Sequence, residues 1–204
     1  MESAVGNEQL ILAIAASTGY FLGSIPFGLV LAWIGGYGDI RKIGSGNIGA
    51  TNVLRTGNKP LAAATLLLDS GKGGAAVLIF ATLGIEAALI AGLAAVLGHN
   101  FPIWLKFRGG KGVATTLGTL IAAAWPVGLL SCVTWLACAA IFRISSLAAL
   151  IALAASPFFA LWLEGWQVTA LASALATLAI IRHHANIGRI LKGQEPRIGG
   201  KKES

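Results

Sequence analysis

Apolar residues along this chain come in runs long enough to cross a lipid bilayer. Residues 10–34 hold no charge, and these 25 residues extend about 37 Å as a helix at about 1.5 Å per residue, enough for the hydrocarbon core with some tilt. A second run, 61–85, is apolar apart from Asp69 and Lys72, and a third covers 87–97. Further runs occupy 113–142, 147–163 and 166–181. The stretch 112–142 is ambiguous, because its 31 residues are long for one span and short for two.

Charge bias resolves it. If 112–142 crosses once, Arg41, Lys42, Arg55, Lys59, Lys106, Arg108 and Lys111 face one side while Arg143, Arg182, Arg189, Lys192, Arg197, Lys201 and Lys202 face the other. If the chain turns at Trp125-Pro126 and crosses twice, all of these bases share one side, and Glu2, Glu8, Glu86 and Glu164 hold the other. The positive-inside rule selects the second arrangement. The expected fold is all-α: a polytopic membrane protein of seven transmembrane helices, N-terminus outside and C-terminus cytoplasmic, with the fourth and fifth spans short and packed inside the bundle. Residues 1–204 read as a single integral membrane domain without repeats.

Composition narrows the class further. The 204 residues are 56% hydrophobic and 11% charged, against about 25% charged in soluble domains. That excludes a water-soluble globule and intrinsic disorder. The net charge of +7 does not indicate nucleic acid, since the bases interrupt apolar runs instead of paving a surface. Cys132 and Cys138 lie in an apolar stretch without metal or redox spacing and read as packing residues. The first nine residues carry Glu2 and Glu8 and no base, so the first run reads as a retained span and not a secretory signal. Trp33, Trp104, Trp125, Trp162 and Trp166 read as an interfacial belt.

Polar side chains in so apolar a chain must be satisfied or wet, and they gather in three segments on the expected cytoplasmic side. The first runs Gly44-Ser45-Gly46-Asn47-Ile48-Gly49-Ala50-Thr51-Asn52, followed by Arg55. Its glycines allow positive φ and close approach of backbone to a ligand. Ser45 and Asn47 can cap a helix whose free N–H groups attract an anion, and Thr51 and Arg55, four apart, share a helix face. Gly44, Gly46 and Gly49 also spell G-x-G-x-x-G, but that dinucleotide fingerprint needs a preceding strand and a βαβ unit, which do not fit here.

The second segment is Gly98-His99-Asn100-Phe101-Pro102, then Lys106 to Gly112 and Thr115. Its Gly109-Gly110-Lys111-Gly112 turn feeding a helix has the physics of a phosphate-binding loop: bare backbone donors, one ammonium and a helix N-terminus. It is not a Walker A motif, since Gly112 stands where Ser or Thr would hold magnesium. Lys106 fits an interfacial snorkelling role. The third segment, 182–189, follows the last run. At about 100° per residue, Arg182, His183, Asn186 and Arg189 fall within a sector of about 120° while His184 points away. Asp69 and Lys72, three apart, can pair on one face, either as a structural ion pair or as the wall of a site. No metal site is expected, because His99, His183 and His184 lack ligand spacing. A Ser-His-Asp triad has no support either, Asp69 already having Lys72 beside it.

Together the three segments resemble the motifs of the bacterial acyl-phosphate-dependent glycerol-3-phosphate acyltransferases, the PlsY family. Gly44 to Arg55 fits GSGNxGATNxxR throughout. Gly98 to Thr115 fits GHxFPxFxxFKGGKGVAT with Trp104 for Phe and Arg108 for Lys, and Arg182 to Glu195 fits RHxxNIxRLxxGxE with Ile190 for Leu. Leu68-Asp69 with Lys72-Gly73 also matches. The resemblance implies a seven-span enzyme of the bacterial cytoplasmic membrane, with its active site on the cytoplasmic side. It implies acyl transfer from acyl phosphate to the 1-hydroxyl of sn-glycerol 3-phosphate, giving lysophosphatidic acid and inorganic phosphate, the first step of phospholipid synthesis. The implied partners are the two substrates and membrane lipid. No cofactor, metal or nucleic acid is implied, and a monomer is compatible with it. The His-x-x-x-x-Asp pair of acyltransferases that use acyl-CoA or acyl carrier protein is absent, since Trp104, Gly188 and Arg189 stand five residues after the three histidines.

Residue chemistry agrees, because two phosphate-bearing substrates call for basic side chains and glycine-rich backbone. Ser45, Arg55 and Lys111 are expected to bind phosphate, with Asn47, Thr51 and Asn52 shaping the first loop. Gly110, Gly112, His99 and Arg182 complete the expected binding set. His183 and Asn186 are the expected catalytic pair, orienting the glycerol hydroxyl or polarising the carbonyl, and His183 has a pKa suited to proton transfer near neutrality. The resemblance equally carries substrate-assisted catalysis, in which a phosphate oxygen takes the proton. A transporter is the rival class, motivated by Asp69 and Lys72 inside a span. It is disfavoured because the polar motifs fall on one side and no repeat is visible.

Overall fold

A computed structural model describes residues 2–199, with side chains from Val5 onward. Lys201, Lys202 and the Glu2 side chain lie outside that description. Every regular element among the described residues is helical. In chain order the α-helices are α1 (Glu2–Gly23), α2 (Phe27–Ile34), α3 (Ala50–Val53), α4 (Lys59–Phe80), α5 (Ile85–Asn100), α6 (Val113–Ala123), α7 (Trp125–Phe142), α8 (Ser145–Leu163), α9 (Trp166–Arg182) and α10 (His184–Leu191), with short 3-10 turns between some of them. Five apolar stretches are long enough to cross a membrane, Val5–Ile34, Lys59–Leu83, Ile85–Leu105, Trp125–Phe142 and Ser145–Leu163, and α9 with α10 makes a sixth that is bent by 63°. The run 113–142 is interrupted once, at Ala124, one residue before the expected Trp125-Pro126 turn, and Trp125 and Pro126 themselves begin α7. At 11 residues, α6 reaches about 16 Å, roughly half of the hydrocarbon core.

The first apolar run differs from the single helix expected of it. Pro26 lacks an N–H and its ring clashes with the preceding turn, so the helix stops at Gly23 and restarts at Phe27. Helix breaks survive in a membrane only where the freed backbone groups find partners. Here the Ile25 carbonyl accepts a hydrogen bond from Lys72 Nζ at 2.7 Å.

The described residues up to Trp125 form one compact unit and those from Pro126 onward a second. In the first unit, α1 lies against α5 and α4 against α6. Lipid tails are as apolar as the helices, so association depends on close packing of small residues. Gly19 and Gly23 sit so near the Ala91 and Ala95 carbonyls that an added Cβ would come within 2.2 and 1.9 Å of those oxygens. Ala15, Ala76, Phe80, Ala87, Ala91 and Ala95 form the buried cluster beside this seam. In the second unit α8 packs on α9, burying Ala148, Ala152, Leu153, Leu171, Ala172 and Leu175. All five tryptophans of the expected belt are exposed, Trp104 least, at 56%.

Candidate active site

The first polar segment is a loop organised by one buried side chain. Asn52, on α3, donates through Nδ2 to the carbonyls of Ile40 (2.8 Å) and Ile43 (3.2 Å), and its Oδ1 accepts from the Ser45 N–H (3.1 Å) and Ser45 Oγ (3.3 Å). Gly44 adopts φ +56°, where an L side chain is strained, and a Cβ there would fall within 2.6 Å of Arg55 Cδ and Nη1. The guanidinium of Arg55 is thereby laid over the turn that presents Ser45. Two local expectations are corrected. Gly49, and neither Ser45 nor Asn47, is the N-cap of α3, because Ser45 is held by Asn52 and Asn47 Oδ1 accepts from the Ile48 N–H at 2.9 Å. Thr51 and Arg55 do not share a regular helix face, since α3 tightens into a 3-10 turn over Leu54–Thr56. Thr51 is exposed.

Nearby, Arg41 is already engaged. Asp39 accepts from its Nε at 2.9 Å and its Nη2 at 2.7 Å, and the side-chain hydrogen bond from Arg41 holds the Asp39 carboxyl down at about 2. Arg55 therefore remains the base that the loop itself positions.

The second segment is a closed excursion from the end of α5. After Asn100 the chain turns through Pro102–Phe107, with Lys106 and Phe107 both at positive φ (52° and 62°), and returns so that the Gly109 N–H donates to Asn100 O (3.2 Å) and the Gly110 N–H to His99 O (3.0 Å). Helix α1 braces the excursion through Tyr20 Oη to Phe101 O (2.7 Å), and Trp104 Nε1 donates to Ser24 O (2.9 Å). Gly110 and Gly112 are buried and Lys111 between them is half-buried. Gly112, at φ +77°, is the N-cap of α6 and supplies no side chain to it, so the first N–H groups of α6 are capped by no side chain at that position and carry the partial positive charge that binds anions. His99 is 4% exposed and its ring lies against Gly110.

The third segment belongs to the second unit. The continuous helix assumed for the 182–189 sector is broken at His183, where α9 hands over to α10, yet the division it suggested holds: His183 and Asn186 are buried and His184 is exposed. His183 Nδ1 lies 2.7 Å from Ala179 O, so in the neutral ring Nδ1 carries the hydrogen and Nε2 is the basic nitrogen. Arg182 is half-buried as the last residue of α9. Asn186 Nδ2 donates to Glu195 Oε1, which also accepts from Ser146 Oγ at 2.7 Å, while Arg189 Nε donates to Oε2 at 2.7 Å. Burial alone would raise the Glu195 carboxyl, but the hydrogen bonds from Ser146, Asn186 and Arg189 outweigh it and hold the group below its ordinary value. Glu195 is the residue that sequence reasoning passed over. Its signal was the closing Glu of the third motif.

Comparison with known proteins covers nearly the whole chain. The family model described as Glycerol-3-phosphate acyltransferase matches residues 13–193. A glycerol-3-phosphate acyltransferase of Paramagnetospirillum magneticum is 66% identical over 96% of this chain and 98% of its own, and one of Rhodospirillum rubrum is 61% identical over 96% and 94%. The crystal structure of PlsY, an integral membrane glycerol 3-phosphate acyltransferase, superposes in its glycerol 3-phosphate form with a TM-score of 0.87 at 39% identity, covering 92% of this chain and 96% of that one. Its lysophosphatidic acid form gives 0.85 at 38% identity, over 91% and 94%.

Proposed function

The chain belongs to the glycerol-3-phosphate acyltransferase family of integral membrane proteins, and on that premise we propose that its acyl donor is an acyl phosphate, its acceptor the 1-hydroxyl of sn-glycerol 3-phosphate, and its products lysophosphatidic acid and inorganic phosphate. The carrying observation is that two glycine-paved loops each present a base, Arg55 in one and Lys111 in the other. Two phosphate cradles match a reaction in which donor and acceptor each bring a phosphate. The solved relative is described in a glycerol 3-phosphate form and a lysophosphatidic acid form, which supports this acceptor and product. Catalysis on the cytoplasmic side of a bacterial inner membrane, by a protein that crosses it seven times and whose two compact units serve one integral membrane acyltransferase domain, completes the reading.

The glycerol hydroxyl oxygen attacks the acyl carbonyl carbon. The C–O bond of the mixed anhydride breaks, and the phosphate leaves with the bonding pair. Ser45, Arg55 and Lys111 hold phosphate oxygens, Asn47, Thr51 and Asn52 maintain the first loop, and the backbone of Gly110 and Gly112 presents donors. Arg182 adds charge, and Asn186 orients the hydroxyl or polarises the carbonyl. The hydroxyl proton goes to His183 Nε2 or to a phosphate oxygen of the substrate, and His183→Gln separates these: a fall in kcat of about 10²–10⁴ marks His183 as the base, whereas a much smaller fall marks the substrate phosphate. The reading is tested by phosphate release from purified protein given acyl phosphate and sn-glycerol 3-phosphate. Release from wild type and none from folded Lys111→Ala is the expected result. Folded wild type that releases no phosphate, or that acylates only from acyl-CoA, overturns the proposed donor.

A further inference from the structure

Beneath the second loop lies a chain of buried charged and polar groups that the proposed reaction does not use directly. Asp69 and Lys72 on α4 are 1% and 4% exposed, and Lys72 Nζ lies 2.8 Å from Asp69 Oδ1. Lys72 is further fixed by the Ile25 carbonyl at the α1–α2 break, and it lies 5.6 Å from the centroid of the Phe27 ring. On the other side of Asp69, His99 Nδ1 is 3.6 Å from Oδ1. The far edge of the same imidazole abuts the phosphate loop: a Cβ added to Gly110 would fall 2.1 Å from His99 Nε2.

His99 and Asn100 then form a template with both their backbone and their side chains. Their carbonyls receive the Gly110 and Gly109 N–H groups. The His99 ring backs Gly110, and the Asn100 carboxamide backs Gly112, where a Cβ would meet Oδ1 at 2.7 Å. Asn100 is fully buried. A loop whose backbone donors must match an anion to within a few tenths of an ångström gains from such a rigid support, because positional error in preorganised donors is lost directly from binding.

We propose that His99 is a positioning residue, not a substrate ligand: braced by the buried Asp69–Lys72 pair, it sets the backbone of the Gly109–Gly112 loop and so the affinity for a phosphate monoester. The inference rests on the reading of that loop as a phosphate site. It reassigns His99, which the sequence pattern groups with the binding residues. The carboxylate on the Nδ1 side favours the Nδ1–H tautomer and turns the lone pair of Nε2 toward the loop. The ion pair is thereby coupled to the loop through the ring.

Calorimetric binding of sn-glycerol 3-phosphate to detergent-solubilised full-length protein tests this without an acyl donor. His99→Gln is expected to weaken binding about tenfold and to raise KM for that substrate in step, with kcat within about threefold of wild type. Removing Asp69 alone would strand a buried ammonium, so the brace is tested with the neutral pair Asp69→Asn/Lys72→Met. That pair should weaken binding by a similar factor, and adding His99→Gln to it should cost little more, since groups in one chain are not additive. Gly110→Ala should abolish measurable binding, and His99→Ala in the same protein should restore part of it by vacating the space the new methyl needs. Unchanged affinity in His99→Gln overturns the proposal. So does a collapse of kcat at unchanged affinity, which would place the ring at the reacting atoms, and so does full multiplicativity of the two sets of changes. Wild type that binds sn-glycerol 3-phosphate but releases no phosphate from acyl phosphate counts against the proposed donor and leaves this inference intact.

Discussion

At the scale of single residues, the site depends on side chains that hold loops from inside. Asn52 uses both ends of its carboxamide on backbone or hydroxyl groups of the 40–45 segment, and no other residue type of that size offers donors and acceptors on opposite sides. Asn52→Leu should destabilise the protein by about 1–3 kcal/mol for each buried group it strands, and Asn52→Asp, which turns an acceptor toward the Ile40 and Ile43 carbonyls, should do no better. Thermal unfolding in detergent with parallel turnover checks both, and an Asn52→Asp protein with the wild-type midpoint and rate would refute the role. Glu195 performs the same service for Asn186. Its carboxyl titrates below its ordinary value in the folded protein, so the folded state binds fewer protons than the unfolded one as pH falls past that value. Its contribution is complete above the unfolded value of roughly 4.3 and disappears as pH falls through the lower folded value. Glu195→Gln should therefore unfold at lower denaturant than wild type at pH 7, with the difference closing below pH 4. A gap that stays constant over that range would show that the carboxylate charge is irrelevant.

At the scale of elements, helix contacts here are set by where a methyl group cannot go. Gly118 on α6 faces the Ser70 carbonyl of α4, and an added Cβ would lie 2.0 Å from that oxygen, whereas Gly71, one residue along α4, has nothing within 4 Å. Gly118→Ala should cost about 1–3 kcal/mol or more by overpacking, and Gly71→Ala should be neutral or stabilising by up to about 1 kcal/mol through helix propensity. Chemical denaturation of the two variants side by side measures the contrast, and equal effects would mean that α4 and α6 do not meet at this seam. The same scale shows what the residues alone disclosed. Apolar runs located the long helices, and the interruption of the 113–142 run was legible to within a residue or two because a proline, an aromatic and the charge balance coincided at Trp125-Pro126. The break at Pro26 was not, because a hydropathy run registers no interruption when the residues around the proline are themselves apolar. Likewise the three motifs located the candidate site, but a helical wheel drawn through His183 could not show that the helix ends there. Nor could it show that Asn186 points at a carboxylate nine residues later, since such contacts depend on tertiary placement and not on spacing.

At the scale of the whole molecule, the remaining question is the direction of each crossing. Helix α6 is only 11 residues long, and the buried residues on it include Thr115, Thr116 and Thr119, so hydropathy and length do not identify it as a span. Charge does. Among the residues compared above, a second crossing after Trp125 puts Lys59 and Arg143 on the same side, while a single crossing over 112–142 puts them on opposite sides. Lys59, Arg143, Lys192, Glu86 and Glu164 are all exposed, so each tolerates a reporter. In a background with Cys132 and Cys138 replaced by alanine, single cysteines at Lys59, Arg143 and Lys192 should react with a membrane-impermeant maleimide only after the cytoplasmic face is opened, and cysteines at Glu86 and Glu164 should react in intact cells. Labelling of Arg143→Cys from outside would reduce the crossings by one, return the bases to an even split between the two faces, and remove the charge asymmetry that a positive-inside insertion requires. On the proposed topology and donor, the face that collects nearly all of the bases would also attract an anionic acyl phosphate and an anionic acceptor, and so would concentrate both substrates at the loops carrying Arg55 and Lys111. Neutralising Lys192 and Arg197, which lie outside those loops, should then lower kcat/KM for sn-glycerol 3-phosphate modestly at low ionic strength and leave it unchanged in high salt, where the field is screened.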